Sequence, residues 1–146
     1  MTVEGSHTIA VPPERAYQLL LDPKILAQCM PGCDELVTTA PGEYQMKMKV
    51  TLASLAGLFS GKVRISDENP PHSYRMVVDG TGKIGFVRGE GLIELSPAET
   101  GTLITYKGQA QVGGTIAAVG SRLVDTTSRM MIRKFFERLA DLAAKS

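Results

Sequence analysis

The stretch YQMKMKVTL, residues 44–52, decides the fold of this chain. Its large apolar side chains fall at every second position, and lysine or threonine fills three of the positions between them. A period of two is typical of a β-strand with one buried face and one wet face. The predicted buried face consists of Tyr44, Met46, Met48, Val50 and Leu52.

The same alternation continues on both sides of this segment. Residues 34–112 are predicted to form an antiparallel meander, because short apolar runs are separated by turn signals at residues 41–42, 54–57, 69–71, 80–85 and 96–101. An earlier strand spans residues 3–11, with Val3, Gly5, His7, Ile9 and Val11 on one face.

Helical spacing marks both flanks of the meander. After Pro12-Pro13, two short helices are predicted at residues 13–21 and 24–28, with a bend at Pro23. A long helix is predicted to run to about residue 144, with Thr115 as its N-cap. The prediction is an α+β fold: a curved antiparallel sheet of about seven strands wrapped around a long C-terminal helix. Residues 1–146 are expected to form a single domain.

Composition and charge exclude several classes of protein. The chain carries 16 basic and 15 acidic residues, so its overall charge indicates no nucleic-acid partner. No apolar run approaches the roughly 20 residues of a membrane span, and the first residues lack a signal-peptide pattern. We expect a cytoplasmic protein, with a peripheral position on the inner face of the cell membrane as a variant of that expectation.

The predicted inward faces contain methionine and glycine where a dense core would hold leucine, isoleucine or phenylalanine. Gly89, Gly91 and Gly108 occupy such positions in the later strands. Flexible thioethers opposite missing side chains suggest an underfilled interior that could hold an apolar ligand. The alternative is that methionine fills gaps and glycine marks β-bulges.

The order of elements, together with several spaced motifs, resembles the START-like or SRPBCC superfamily, whose helix-grip fold encloses an apolar cavity. The similarity is closer to the carbon monoxide dehydrogenase G-subunit (CoxG) family. The matching segments are Met30-Pro31-Gly32-Cys33, Gly42-Glu43-Tyr44, Phe59-Ser60-Gly61-Lys62-Val63, Asp67-Glu68-Asn69-Pro70-Pro71-His72-Ser73-Tyr74, Gly85-Phe86-Val87-Arg88-Gly89-Glu90-Gly91, and Gln111-Val112-Gly113-Gly114 followed by Val119-Gly120-Ser121-Arg122-Leu123.

The resemblance implies an accessory, non-catalytic role beside a molybdenum hydroxylase of the carbon monoxide dehydrogenase type. Membrane attachment of that enzyme, or binding of a non-covalent isoprenoid quinone or lipid, would be its task. It implies no redox centre and no covalently bound cofactor. The expected ligand-binding residues are His7, Tyr44, Met46, Met48, Val50, Val63, Met76, Val78, Tyr106, Gly120 and Met131, of which His7, Tyr44 and Tyr106 are polar.

A second candidate surface is the apolar segment near the turn predicted at residues 54–57. Leu55, Leu58 and Phe59 could form a cavity mouth or a docking tip, or could fold back onto the core.

Catalytic and metal-binding patterns are weak. Cys29 and Cys33 lack the further closely spaced ligands of a zinc site, so no metal is expected. His7 could be a core histidine or a donor to a ligand carbonyl. An enzyme of the cyclase or isomerase kind, with His7, Tyr44, Tyr106 or Glu90 as its acid or base, is an alternative, and so is a structural assembly factor whose cavity is unused.

Overall fold

A computed structural model describes residues 1–145 of the chain. Seven antiparallel strands form one sheet with the order β1-β7-β6-β5-β4-β3-β2, so only β1 is displaced from its place in the chain. The elements are β1 (Thr2–Ile9), α1 (Pro13–Leu21), α2 (Pro23–Cys29), β2 (Cys33–Ala40), β3 (Glu43–Leu52), β4 (Leu55–Asn69), β5 (Ser73–Gly82), β6 (Gly85–Ala98), β7 (Gly101–Gly113), a 3₁₀ helix (Thr115–Val119) and α3 (Ser121–Ala144).

Helix α3 lies against the inner face of this curved sheet, which confirms the predicted helix-grip architecture. The alternation in β3 is regular, since Tyr44, Met46 and Met48 are buried while the polar residues between them are exposed. The two short helices also form as predicted. Asp22 ends α1, and its side chain accepts a hydrogen bond of 2.9 Å from the Lys24 N–H, which caps α2.

The interior contains two separate apolar clusters. The larger joins α1, α2 and the second half of α3 to one end of the sheet, with Ile9, Leu19, Ile104 and Leu139 fully buried. The smaller, around Leu52, Phe59 and Ile116, closes the other end, with further apolar side chains from α3 packed against it. The stretch between the clusters is where the interior is not filled.

Several boundaries differ from the sequence prediction, and β1, for example, ends at Ile9 and not at residue 11. The turn between β3 and β4 is confined to Ala53 and Ser54, because Leu52 pairs with Leu55 and the later residues continue the ladder. The turn between β5 and β6 begins only after Gly82. The C-terminal helix does not run unbroken from Thr115, since Gly120 has a φ of 105°, which an α-helix cannot accommodate, and it caps α3.

Candidate functional site

A cavity of about 440 Å³ lies between the inner face of the sheet and the first half of α3. Its volume falls in the range of small-molecule sites, roughly 300–1,000 Å³. Almost all of the side chains around it are apolar, and they come from β1, the two short helices, β2 to β7 and α3. The sequence expectation of an open interior is therefore met in the fold.

Glycines on three consecutive rows of the sheet explain why the space is open. Across the strands, Met46 is followed by Gly61 and then by Gly80. In the next row Val78 is followed by Gly89, and in the third Met76 is followed by the pair Gly91 and Gly108. Each row thus has a large side chain beside one or two positions that have none.

The available room differs among these glycines. A Cβ atom built on Gly80 would meet no atom closer than 3.9 Å, and one on Gly61 or Gly89 none closer than 3.5 Å. On Gly108, by contrast, it would overlap the carbonyl oxygen of Glu90. Only the last glycine is therefore required for the close approach of two strands, while the first three leave space unfilled.

Methionine supplies much of the remaining wall. Six of the seven methionines line the cavity, and Met130 is the exception. Because a thioether chain has three rotatable bonds and is polarizable, such a wall can adjust to ligands of different outline. The lining methionines are Met1, Met30, Met46, Met48, Met76 and Met131.

The first half of α3 covers the cavity with short side chains. Val124, Thr127 and Ser128 face it there, followed by Met131 one turn later. The residues of α3 that are fully buried, Phe136 among them, all lie in its second half. The short side chains of this half therefore leave room between the helix and the sheet.

Two tyrosine hydrogen bonds lie near α1, one from Tyr44, which borders the cavity, and one from Tyr17, which does not. The Tyr44 hydroxyl donates a 2.7 Å hydrogen bond to the Leu21 carbonyl, and Tyr17 donates one of 2.8 Å to the Glu68 carboxylate. Glu68 reaches this side of the sheet at an irregularity in β4, where the pairing shifts between Ser66 and Asn69. Burial raises the pKa of Tyr17, and the hydrogen bond to Glu68 raises it further.

Tyr74 is the functional candidate that the sequence analysis did not select. Its ring packs edge-on against Tyr17 at 5.7 Å between centroids, and the residue is only 3% exposed although it borders the cavity. Thr127 was also not selected. The available signal for Tyr74 was its place on the inward face of β5, two residues before Met76.

Nine of the eleven expected ligand-binding residues border the cavity. These are Tyr44, Met46, Met48, Val50, Val63, Met76, Val78, Tyr106 and Met131. Tyr106 stacks on Phe136 with 5.4 Å between ring centroids, and its hydroxyl lies over Gly5, where a Cβ atom would overlap it.

His7 and Gly120 lie outside the lining. The imidazole of His7 stacks on the Phe136 ring at 4.3 Å, so the aromatic side chain separates it from the open space. Burial lowers the pKa of His7, and the charge of Glu137 opposes this effect. Gly120 forms the cap of α3, and no atom lies within 4 Å of the position that its Cβ would take.

The three residues expected at a mouth or docking tip have different environments. Phe59 is buried in the smaller cluster and lines the cavity. Leu58 is 65% exposed and belongs to the outer face of the sheet, opposite Lys49. Leu55 is half-buried where β4 begins.

Ionisable groups contribute little to the lining. Glu90 and Lys107 are its charged residues, and both are exposed at outward positions of their strands. Burial raises the pKa of the Cys29 thiol to about 11 and also raises that of Cys33. Within residues 1–145, no group of three or more His, Cys, Asp or Glu side chains is arranged to hold a metal ion.

A second depression, of about 450 Å³, lies on the outer face of the sheet and is polar. Its rim carries the ion pair between Lys47 and Glu35, with 3.6 Å between nitrogen and oxygen. Exposed ion pairs of this kind contribute about 0–1 kcal/mol to stability. No buried side-chain nitrogen or oxygen without a partner faces the depression among the described residues. We therefore consider the internal cavity to be the candidate site.

Among the helices of residues 1–145, none has the length and apolar character needed to cross a bilayer.

The helix-grip fold and the internal apolar cavity define the chain as a protein of the START-like class. Solved structures that share this fold include the following three. A conserved protein from Geobacillus kaustophilus is 32% identical with a TM-score of 0.94, and the match covers 100% of this chain and 97% of that one. A protein from Thermus thermophilus is 20% identical with a TM-score of 0.73, and the match covers 100% of both chains. A protein from Rhizobium leguminosarum is 12% identical with a TM-score of 0.74, and the match covers 100% of this chain and 95% of that one.

The sequence model of the carbon monoxide dehydrogenase G-subunit (CoxG) family matches residues 5–144. The chain therefore belongs to the CoxG family, as the motifs in the sequence indicated. No curated protein matches the chain.

Proposed function

We propose that the chain is a non-catalytic accessory protein of a molybdenum hydroxylase of the carbon monoxide dehydrogenase type, and that it carries an isoprenoid quinone or a comparable lipid in its cavity. The observation that supports this proposal is the apolar space of about 440 Å³ in a protein of the CoxG family. Carriage of such a ligand would assist membrane association of the hydroxylase or electron transfer from it.

Apolar burial would supply most of the affinity. Removing about 200 Å² of ligand surface from water contributes about 5 kcal/mol at roughly 25 cal/mol per Å². Part of this gain offsets the lost motion of the ligand. A ligand tail longer than the cavity would extend out of it, while the methionine-rich wall contacts the part inside.

Peripheral contact with a membrane belongs to the same proposal. Leu58 projects from the outer face of the sheet, and Lys49 lies directly opposite it in the neighbouring strand. An exposed leucine beside a lysine suits a surface of anionic lipid. In sedimentation with vesicles that contain anionic lipid, Leu58→Asp should weaken binding, whereas unchanged sedimentation would contradict this contact.

A cavity-filling variant tests the ligand site. Decylubiquinone should bind the natural protein saturably with about one molecule per chain, and Gly80→Leu should weaken this binding by tenfold or more, because the new side chain occupies the open space. Thr81→Leu is the matched control, since Thr81 is the next residue of β5 and faces solvent. Absence of saturable binding, or equal effects of both variants, would contradict the proposal.

Assays of turnover and of association with the hydroxylase separate the two alternative functions. Chemical conversion of a bound molecule, lost in a His7→Ala, Glu90→Gln double variant, would indicate an enzyme. A chain that binds no apolar ligand but still associates with the hydroxylase would indicate a structural assembly factor.

A further inference from the structure

We infer that the Tyr74 hydroxyl is the hydrogen-bond donor that selects and orients the ligand, and that the ligand is a neutral molecule with a carbonyl or hydroxyl oxygen on an apolar body. This inference rests on the proposed ligand-binding function. It adds the chemistry of the polar head and the end of the cavity at which that head lies.

The hydrogen-bond pattern distinguishes Tyr74 from the other tyrosines of this region. Tyr44 and Tyr17 both donate to protein oxygens, at 2.7 and 2.8 Å. The Tyr74 hydroxyl makes no hydrogen bond to any described residue, although the residue is almost fully buried. A hydroxyl that has no protein partner and little access to bulk water loses most of its hydrogen bonding, so its position in this buried residue calls for an explanation.

The direction of this hydroxyl follows from the packing. Every fully occluded side-chain oxygen or nitrogen of the described residues has a partner, so the unpaired oxygen of Tyr74 must keep contact with open space. The cavity is the open space that Tyr74 borders. Tyr106, two strands away in the same row of the sheet, has its hydroxyl over Gly5 at the edge instead.

The electrostatics at this end of the cavity favour a neutral head. The carboxylate of Glu68 lies close enough to contribute, after burial, to the raised pKa of both Tyr74 and Tyr44. An anionic head beside Tyr74 would meet this negative charge, and the charged residues of the lining, Glu90 and Lys107, occupy exposed outward positions. A ketone, ester or quinone oxygen accepts a hydrogen bond without that repulsion.

A pair of probes of equal chain length tests the inference. 2-Undecanone and undecane differ by one carbonyl oxygen, and their affinities can be compared by displacement of Nile red from the protein. Each affinity is first corrected for the partition of that probe from water into hydrocarbon. After this correction the natural protein should bind the ketone about fivefold more tightly than undecane, because one neutral hydrogen bond contributes about that factor. Tyr74→Phe should abolish this preference and leave undecane binding unchanged. Laurate should bind more weakly than the ketone.

Two controls make the result specific. Tyr44→Phe removes a hydroxyl that already has a protein partner, so it should leave the preference intact; Thr127→Val tests another hydroxyl in the lining. Without ligand, Tyr74→Phe should leave the thermal midpoint unchanged or raise it, while Tyr44→Phe should lower it, because only Tyr44 loses a hydrogen bond to protein.

The outcomes are distinct. Loss of the preference in Thr127→Val or Tyr44→Phe rather than in Tyr74→Phe overturns the assignment, and so does a lowered midpoint for free Tyr74→Phe. Equal binding of ketone and undecane by the natural protein overturns the inference but preserves the proposed function. Binding of neither probe overturns both.

Discussion

Replacement of Gly80 by valine tests whether the interior is open. In a closely packed core, added methyl groups force side chains and backbone apart and cost about 1–3 kcal/mol. At Gly80 the nearest atoms to a new Cβ are backbone atoms at 3.9 Å. Its neighbours across the two ladders are Gly61, which has no side chain, and Val87, whose nearest atom is its carbonyl oxygen.

The expected sign is therefore stabilisation. Relief of the glycine penalty in a strand contributes about 0.5–1 kcal/mol, and partial burial of the two further carbons adds up to about 1 kcal/mol. We expect the free energy of unfolding to rise by about 0.5–2 kcal/mol, which corresponds to a rise of about 1–8 °C in the thermal midpoint for a chain of this size. Urea denaturation followed by circular dichroism measures both the sign and the size.

Gly108→Ala is the matched control within the same sheet. There the new Cβ would overlap the Glu90 carbonyl oxygen and lie 2.9 Å from the Gly91 Cα, so we expect destabilisation by more than about 1 kcal/mol. Destabilisation of Gly80→Val by a similar amount would refute the reasoning, since it would mean that the space beside Gly80 is already occupied.

Three further outcomes follow from burial and charge. Leu139→Ala should cost about 2–5 kcal/mol in urea denaturation because Leu139 is 0% exposed, whereas Met131→Ala should cost less than half as much because it already borders open space; equal losses would count against the cavity. The pKa of His7 is lowered in the folded state, so the unfolded chain binds the proton more tightly. The free energy of unfolding should therefore fall as the pH drops below about 6.5. His7→Gln should reduce the slope of the free energy of unfolding against pH, and an unchanged slope would contradict this prediction. Iodoacetamide at neutral pH should modify half-buried Cys33 well before buried Cys29, as peptide mass mapping would show; equal or faster modification of Cys29 would contradict this.

The fold was accessible from the sequence because its signals are local and repeated. Alternation in segments such as residues 44–52 and the breaks at Pro12 and at residues 69–71 set the strands and their order. The helix boundary at Gly120 was not accessible, because an isolated glycine inside a helical pattern is compatible with both a continuous helix and a cap. In the folded chain the φ of 105° at Gly120 separates α3 from the 3₁₀ segment, whose Ile116 is buried in the smaller cluster.

The candidate site was predictable where strand parity decides it. Met46, Val63 and Met76 border the cavity because each lies on the inward face of its strand. His7 also has the correct parity, yet the ring of Phe136, far away in the sequence, covers it. Tertiary stacking of this kind has no local signature.

Tyr74 shows the complementary limit of sequence reasoning. Its inward position was visible, but four tyrosines in a chain cannot be ranked without knowing which hydroxyls have partners. The shift in pairing of β4 brings Glu68 to Tyr17, and the backbone of α1 provides an acceptor for Tyr44. The remaining free hydroxyl is a property of the assembled fold.

Mass spectrometry of the freshly purified chain, native and after organic extraction, tests the role of the cavity most directly. We expect about one apolar molecule per chain, a neutral lipid or isoprenoid quinone, that is absent or strongly reduced in Gly80→Leu but retained in Thr81→Leu. A chain that carries nothing, and that remains empty after incubation with quinones and neutral lipids, would contradict the proposed function.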